Sequence, residues 1–196
     1  MGIHAQKVEP HWSYLLAIEH DLEVLSRFVE FDERNFGAFG IEIARLLLAC
    51  GAETDVVCKQ ACIKLNAASK AATITAYRKA LVAAYPTIPS FEVTIPRFGL
   101  SLHPWDEWRR PNGVPFWWTA YNKTKHQRHS EYQRANLKNA LNAVAGLFVM
   151  VLYLYRDKAT FGQLVPRPLM LRVSDAQFGG TTVGLNHEVG ENYLLP

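Results

Sequence analysis

The chain has 196 residues, long enough for one domain with a sizeable core. Hydrophobic residues make up 49% and charged residues 20%, which excludes a disordered or low-complexity chain. A net charge of +3 does not by itself imply nucleic acid, so the distribution of charge carries more weight than its total.

Between residues 120 and 138, Lys123, Lys125, Arg128, Arg134 and Lys138 oppose only Glu131. Between residues 18 and 34, Glu19, Asp21, Glu23, Glu30, Asp32 and Glu33 oppose only Arg27 and Arg34. Two readings follow. The stretches complement each other within the fold or across a dimer, or the basic stretch is a patch that meets phosphate. The cysteines, Cys50, Cys58 and Cys62, are odd in number and fall on one expected helix, so they read as buried thiols in a reducing cytoplasm rather than as a disulfide framework. Two thiols at i and i+4 make an incomplete zinc set, and we expect no metal and no cofactor. The N-terminus MGIHAQKVEPHW lacks the basic start and apolar run of a secretory signal. The apolar run from Ala143 to Tyr155 is too short to span a bilayer and reads as a core helix, so no membrane role is expected.

In chain order, Leu15, Ile18, Leu22, Leu25 and Val29 recur at helical spacing and predict a helix over 12–30. FDERNFGAFG, with Gly37 and Gly40, reads as a connection. A second helix is expected over 41–65, with Ile43, Leu46, Leu47, Cys50, Val57, Ala61 and Leu65 on its buried face. Gly51 in its middle costs about 1 kcal/mol relative to alanine and predicts a kink or a close helix contact. A third helix covers 74–84 and stops before Pro86. Six prolines then break up residues 86–115, where FEVTI (91–95) and GLSLH (99–103) alternate like the strands of a small hairpin pinned by Trp105 and Trp108. Asn112-Gly113 marks a turn. From Phe116 to Tyr155 the chain reads as one long helix with a polar first half and an apolar second half. LMLRV (169–173) reads as a strand, and residues 178–192 as a surface tail with room for a further strand pair. The expected fold is an all-α bundle of about four to five helices over residues 1–158, with a β excursion near 90–103. Residues 159–196 form a C-terminal extension, irregular or with short strands.

The chemistry concentrates in the polar half of the long helix. Asn122 and His126, four apart, share a helix face, and the spacing puts His129 near it. Tyr121, Lys125 and Arg128 lie on an adjacent strip, with Lys123 between. A histidine beside an amide and several cations suits acid/base work on a phosphodiester that the cations hold. The bland alternative is a histidine hydrogen-bonded to a neighbouring helix. Trp117 and Trp118 offer faces for stacking on bases, or seal the core where the helix begins. Glu53 and Asp55 read as solvent-facing; turned inward, Glu53 would reach Lys125 or His126.

YNKTKHQR followed by ANLKNALNAVAGLFVM resembles the HEPN superfamily, as does the earlier IEIARLLLACGAETDVVCK. The resemblance covers roughly residues 12–156. It implies an all-α bundle that commonly dimerises, and its active members are metal-independent endoribonucleases of toxin–antitoxin and defence systems. Their signature is an arginine, a polar residue and then a histidine four to six positions beyond the arginine, on one helix. His126 matches the histidine and Asn122 the polar residue, while Tyr121 stands where the arginine is expected. A tyrosine lacks the charged fork that clamps phosphate. Arg97 and His103 have the right spacing, but they fall in the strand-like segment and read as coincidence. The resemblance thus assigns His126 and Asn122 as catalytic, and Lys123, Lys125, Arg128, His129 and Tyr121 as contacts to RNA, nucleotide or phosphate. Three readings stay open: an RNA-engaging protein, including a weakened ribonuclease; a non-catalytic module that binds nucleotide, RNA or a protein partner; and a structural dimer with no nucleic-acid role.

Overall fold

The computed structural model describes residues 9–173, 191–193 and 195. Among these it holds six α-helices and one three-stranded antiparallel sheet. The helices are α1 (Pro10–Leu25), α2 (Ile41–Leu65), α3 (Ile74–Ala84), α4 (Phe116–Glu131), α5 (Leu137–Leu154) and α6 (Arg156–Thr160). The strands are β1 (Val93–Ile95), β2 (Leu100–Leu102) and β3 (Arg172–Val173), in the order β2-β1-β3. The surface tail expected over 178–192 falls almost wholly on residues outside those described.

The bundle is built around α5. From Ala140 to Leu154 every residue of this helix is buried. Each fully buried aliphatic or aromatic side chain contributes about 1.5–3 kcal/mol, so this helix anchors the core. By length and composition α5 would also cross a membrane, but 89% of it is buried inside the bundle. α2 packs along it, α1 lies against both, and α4 lies against α5 and α2. The hairpin forms as its alternation predicts. Val93, Ile95, Leu100 and Leu102 face inward, and Val93 pairs with Leu102 across the strands. Gly99 sits at φ 63° in the connecting turn, where a side chain would be strained. Asn112 also takes a left-handed conformation, at φ 60°, in the turn before α4.

The single helix expected over 116–155 is two helices. Regular geometry fails at Gln127 (φ −137°, ψ 33°), and a 3-10 turn over Tyr132–Arg134 separates α4 from α5. No proline or glycine marks this break. The cause is a competing cap: the Asn136 side chain accepts from the Asn139 N–H at 3.1 Å. The carbonyls of Ala38 and Phe36 also accept from the Leu137 and Lys138 N–H groups. The free amides at the start of α5 are thereby satisfied by a distant loop, which favours a new helix start over continuity. The first helix, too, is shorter than its pattern, ending at Leu25 and running on in turns.

The chain beyond α6 packs on the bundle. Glu19 of α1, 3% exposed, accepts hydrogen bonds from the N–H groups of Leu169, Met170 and Leu171 at 2.8–2.9 Å. Trp12 Nε1 donates to the Pro166 carbonyl at 3.1 Å, and the Tyr193 ring lies 6.0 Å from Phe148. Glu19, one of six carboxylates in the acidic stretch, is therefore a buried anchor for the segment that leads into β3.

Candidate functional site

A chain of aromatic rings sets the position of α4. Trp105 stacks on Trp108 at 4.2 Å, and Trp105, Trp117, Trp118 and Tyr121 then follow with centroids 5.3–5.8 Å apart. Trp117 Nε1 donates to the Pro104 carbonyl at 2.7 Å, and Trp105 Nε1 to the Gly146 carbonyl at 3.2 Å. These bonds satisfy the indole donors of Trp117 and Trp105, whereas the buried Trp108 Nε1 has no hydrogen-bond partner among the described residues. Trp117 and Trp118 are buried, so the core role holds for both and neither offers a stacking face.

Tyr121 ends this chain of rings. It is 5% exposed and lies on α2 at Gly51, where an added Cβ would meet the ring at 2.3–2.7 Å. The close helix contact expected at Gly51 is therefore its contact with Tyr121. The residue at the motif's arginine position is thus a packing residue between α2 and α4. Its ring still touches the polar face, because Lys125 Nζ lies 5.6 Å from its centroid.

The remaining α4 candidates face outward. Asn122 and Lys123 are half-buried, whereas Lys125, His126, Arg128 and His129 are exposed. Asn122 and His126 both precede the irregular residue Gln127, so their shared face stands. His129 and Arg128 lie beyond it, and the helical spacing that grouped His129 with His126 no longer applies. Lys123 Nζ donates to Gln127 Oε1 at 2.9 Å. Among the described residues, no ion pair engages Lys123, Lys125, His126, Arg128 or His129. The neighbouring carboxylate, Glu131, is bound to Arg134, whose guanidinium holds its carboxyl below the ordinary value. No ion pair among the described residues joins the acidic stretch 18–34 to the basic stretch 120–138.

The carboxylates of α2 are engaged elsewhere. Glu53 Oε1 lies 2.5 Å from His11 Nδ1 of α1, not beside Lys125 or His126. Asp55 accepts from the Tyr77 hydroxyl at 3.0 Å and lies 3.6 Å from Lys59 Nζ. Around His11 a second polar cluster forms, with Tyr155 at 6.2 Å between ring centroids and with Glu9 bound to Lys158. Both carboxylates of that cluster are already paired, and it ties the start of α1 to α2 and α6. No sequence signal pointed to His11, because its partner lies 42 residues away.

The cysteines are buried and free. Burial raises the Cys62 thiol to about 11 and Cys50 and Cys58 further, so none is poised as a nucleophile. Among the described residues no group of histidine, cysteine or carboxylate side chains has the arrangement to hold a metal ion. A groove of about 630 Å³ opens between α1 and α2, lined by Tyr14, Val24, Phe28, Leu46 and Ala49, with Glu42 and Arg45 beside them. It includes none of the α4 candidates. Comparison with protein-family models, with curated proteins and with solved structures returns no match to this chain.

Proposed function

We propose that this protein is HEPN-like and engages RNA through the outward face of α4 and the turn that follows it, gripping the backbone without efficient cleavage. One observation carries this reading. Lys123, Lys125 and His126 on α4, and Arg128 and His129 just past its irregular residue Gln127, all reach solvent, and no carboxylate among the described residues forms an ion pair with any of them. Glu131 is the one carboxylate of the segment and Lys123 acts on it, but its ion pair is with Arg134, so the positive charge of the segment stays in excess and favours a polyanion. Lys125 and Arg128 would neutralise phosphate, and Asn122 would offer its amide to a phosphate or a 2′-hydroxyl. His126 would be the proton relay of such a site. The clamp that would hold a phosphate for it is absent, because Tyr121 is spent on packing against Gly51.

The test is incubation of purified protein with a labelled pool of structured and single-stranded RNA in EDTA, beside His126→Ala. Intact RNA that shifts in a gel supports binding without turnover. Cleavage by the wild type alone would make the protein a metal-independent ribonuclease with His126 as its acid/base. RNA neither shifted nor cut would end the reading.

A second reading concerns a partner of the other face. Phe28, 79% exposed, stands beside the apolar groove between α1 and α2. A two-fold mate would bury it in an equivalent groove. Sedimentation velocity on wild type and Phe28→Glu tests this: a dimer lost in the variant supports it, and a monomeric wild type excludes it.

A further inference from the structure

Resting on the RNA-engaging reading, we propose that the protein selects unpaired bases, stacking one of them on an aromatic pair made by Phe39 and Tyr132. Phe39 lies in the loop between α1 and α2 and is 53% exposed, a large apolar ring left in water. Tyr132 opens the turn that follows α4, four residues beyond Arg128. Their rings meet edge to face at 5.4 Å. The pairing is fixed by the backbone: Phe39 bridges Asn136, and the Ala38 and Phe36 carbonyls bind the first amides of α5. The loop is thus held against the end of the cationic segment. Its exposed ring has a set orientation, which lowers the cost of binding a base.

The surroundings favour a nucleic acid over an apolar partner. Arg128 and His129 precede Tyr132 in the chain and have no carboxylate in an ion pair with them among the described residues, while Glu131 and Arg134 on either side of Tyr132 are paired with each other. Cations flanking an exposed aromatic face are what a single strand requires: charge for the backbone and a π-face for a base. A duplex keeps its bases stacked inside and gains nothing from the ring. Trp117 and Trp118 cannot take this role, being buried.

The experiment uses the full chain, a single-stranded RNA 12-mer, the same sequence as a duplex, and an abasic strand of equal length. Phe39→Ala should weaken the single strand roughly five- to tenfold and leave the duplex and the abasic strand unchanged. Phe39→Trp should restore binding. All five native tryptophans are buried, so the new indole reports alone on solvent and should be quenched and shielded by the single strand but not by the duplex. If Phe39→Ala binds the single strand as tightly as wild type, the stacking site is wrong while the backbone-gripping reading stands. If wild type binds none of the three, both fall together.

Discussion

Replacing Gly51 with alanine tests how α4 is seated. Taken alone, the change should help: alanine is about 1 kcal/mol better than glycine inside a helix. In this fold the added methyl would sit 2.3 Å from Tyr121 Cδ2 and 2.4 Å from Cγ. Carbon atoms rest at about 3.5–4.0 Å, so the ring must move. The struck atoms lie at the root of a buried ring, which is held by Trp118 at 5.3 Å and cannot swing freely. Overpacking of this kind costs about 1–3 kcal/mol, and a contact this short belongs at or above the upper end. The net loss is about 2 kcal/mol, or roughly 4–8 °C in Tm for a chain of this size. The assay is thermal and urea unfolding of wild type, Gly51→Ala, Tyr121→Ala and the double variant. Tyr121→Ala alone should cost about 3 kcal/mol or more by leaving a cavity. In that background Gly51→Ala should become stabilising by about 1 kcal/mol, which gives a large coupling between the two sites. A Gly51→Ala single variant as stable as wild type would refute the close packing of α2 on α4, and with it the structural role given to Tyr121.

Other predictions follow from the same structure. Glu19→Ala should destabilise by about 3 kcal/mol or more, since three backbone N–H groups lose their acceptor, and hydrogen exchange at Leu169–Leu171 should rise sharply. An unchanged melting curve would show that this segment is not anchored there. Burial raises the hydroxyls of Tyr77, Tyr153, Tyr155 and Tyr193 above the ordinary tyrosine value, so the folded state favours their neutral form. Their contribution is complete below about pH 10 and is lost as pH rises beyond it, where the unfolded chain ionises first. Absorbance at 295 nm should therefore show these four titrating late in the native protein and normally in urea; a single normal transition for all eight tyrosines would contradict this. Restoring the motif charge with Tyr121→Arg should lower stability rather than create a phosphate clamp, because the side chain would enter a site only 5% exposed. A stable variant with new ribonuclease activity would count against the packing argument.

Much of the architecture could be read from periodicity, because local pattern and burial agree there. α2 and α3 run between the expected residues, and the alternation in FEVTI and GLSLH gives the hairpin. The break between α4 and α5 was not legible. Residues 127–136 are acceptable helix formers, and the carbonyls that start α5 come from residues 36 and 38, about a hundred positions away. Glu19 shows the same limit: its acceptors' partners lie 150 residues downstream, so one of six carboxylates in an acidic stretch could not be singled out as buried. At the site, the cationic cluster was visible as a charge imbalance, and Tyr121 as a departure from a motif. That Tyr121 is a packing residue depended on Gly51, whose signal was only a glycine in mid-helix. Phe39 left a trace too, as an aromatic residue between Gly37 and Gly40 in a connection, but nothing local tied it to Tyr132.

The measurement to make is the affinity of a labelled single-stranded RNA for wild type and for the charge-reversed variant Lys125→Glu/Arg128→Glu, by fluorescence anisotropy across a salt series. Three phosphate contacts from Lys123, Lys125 and Arg128 predict that log K falls with log salt at a slope of roughly −2. Both substituted side chains are exposed, so the variant should keep its melting temperature while losing more than tenfold in affinity, with a slope of about −0.7 or shallower from the one remaining contact at Lys123. Equal affinity in the two proteins, or no binding by wild type at low salt, would mean that the outward face of α4 is not a nucleic-acid surface.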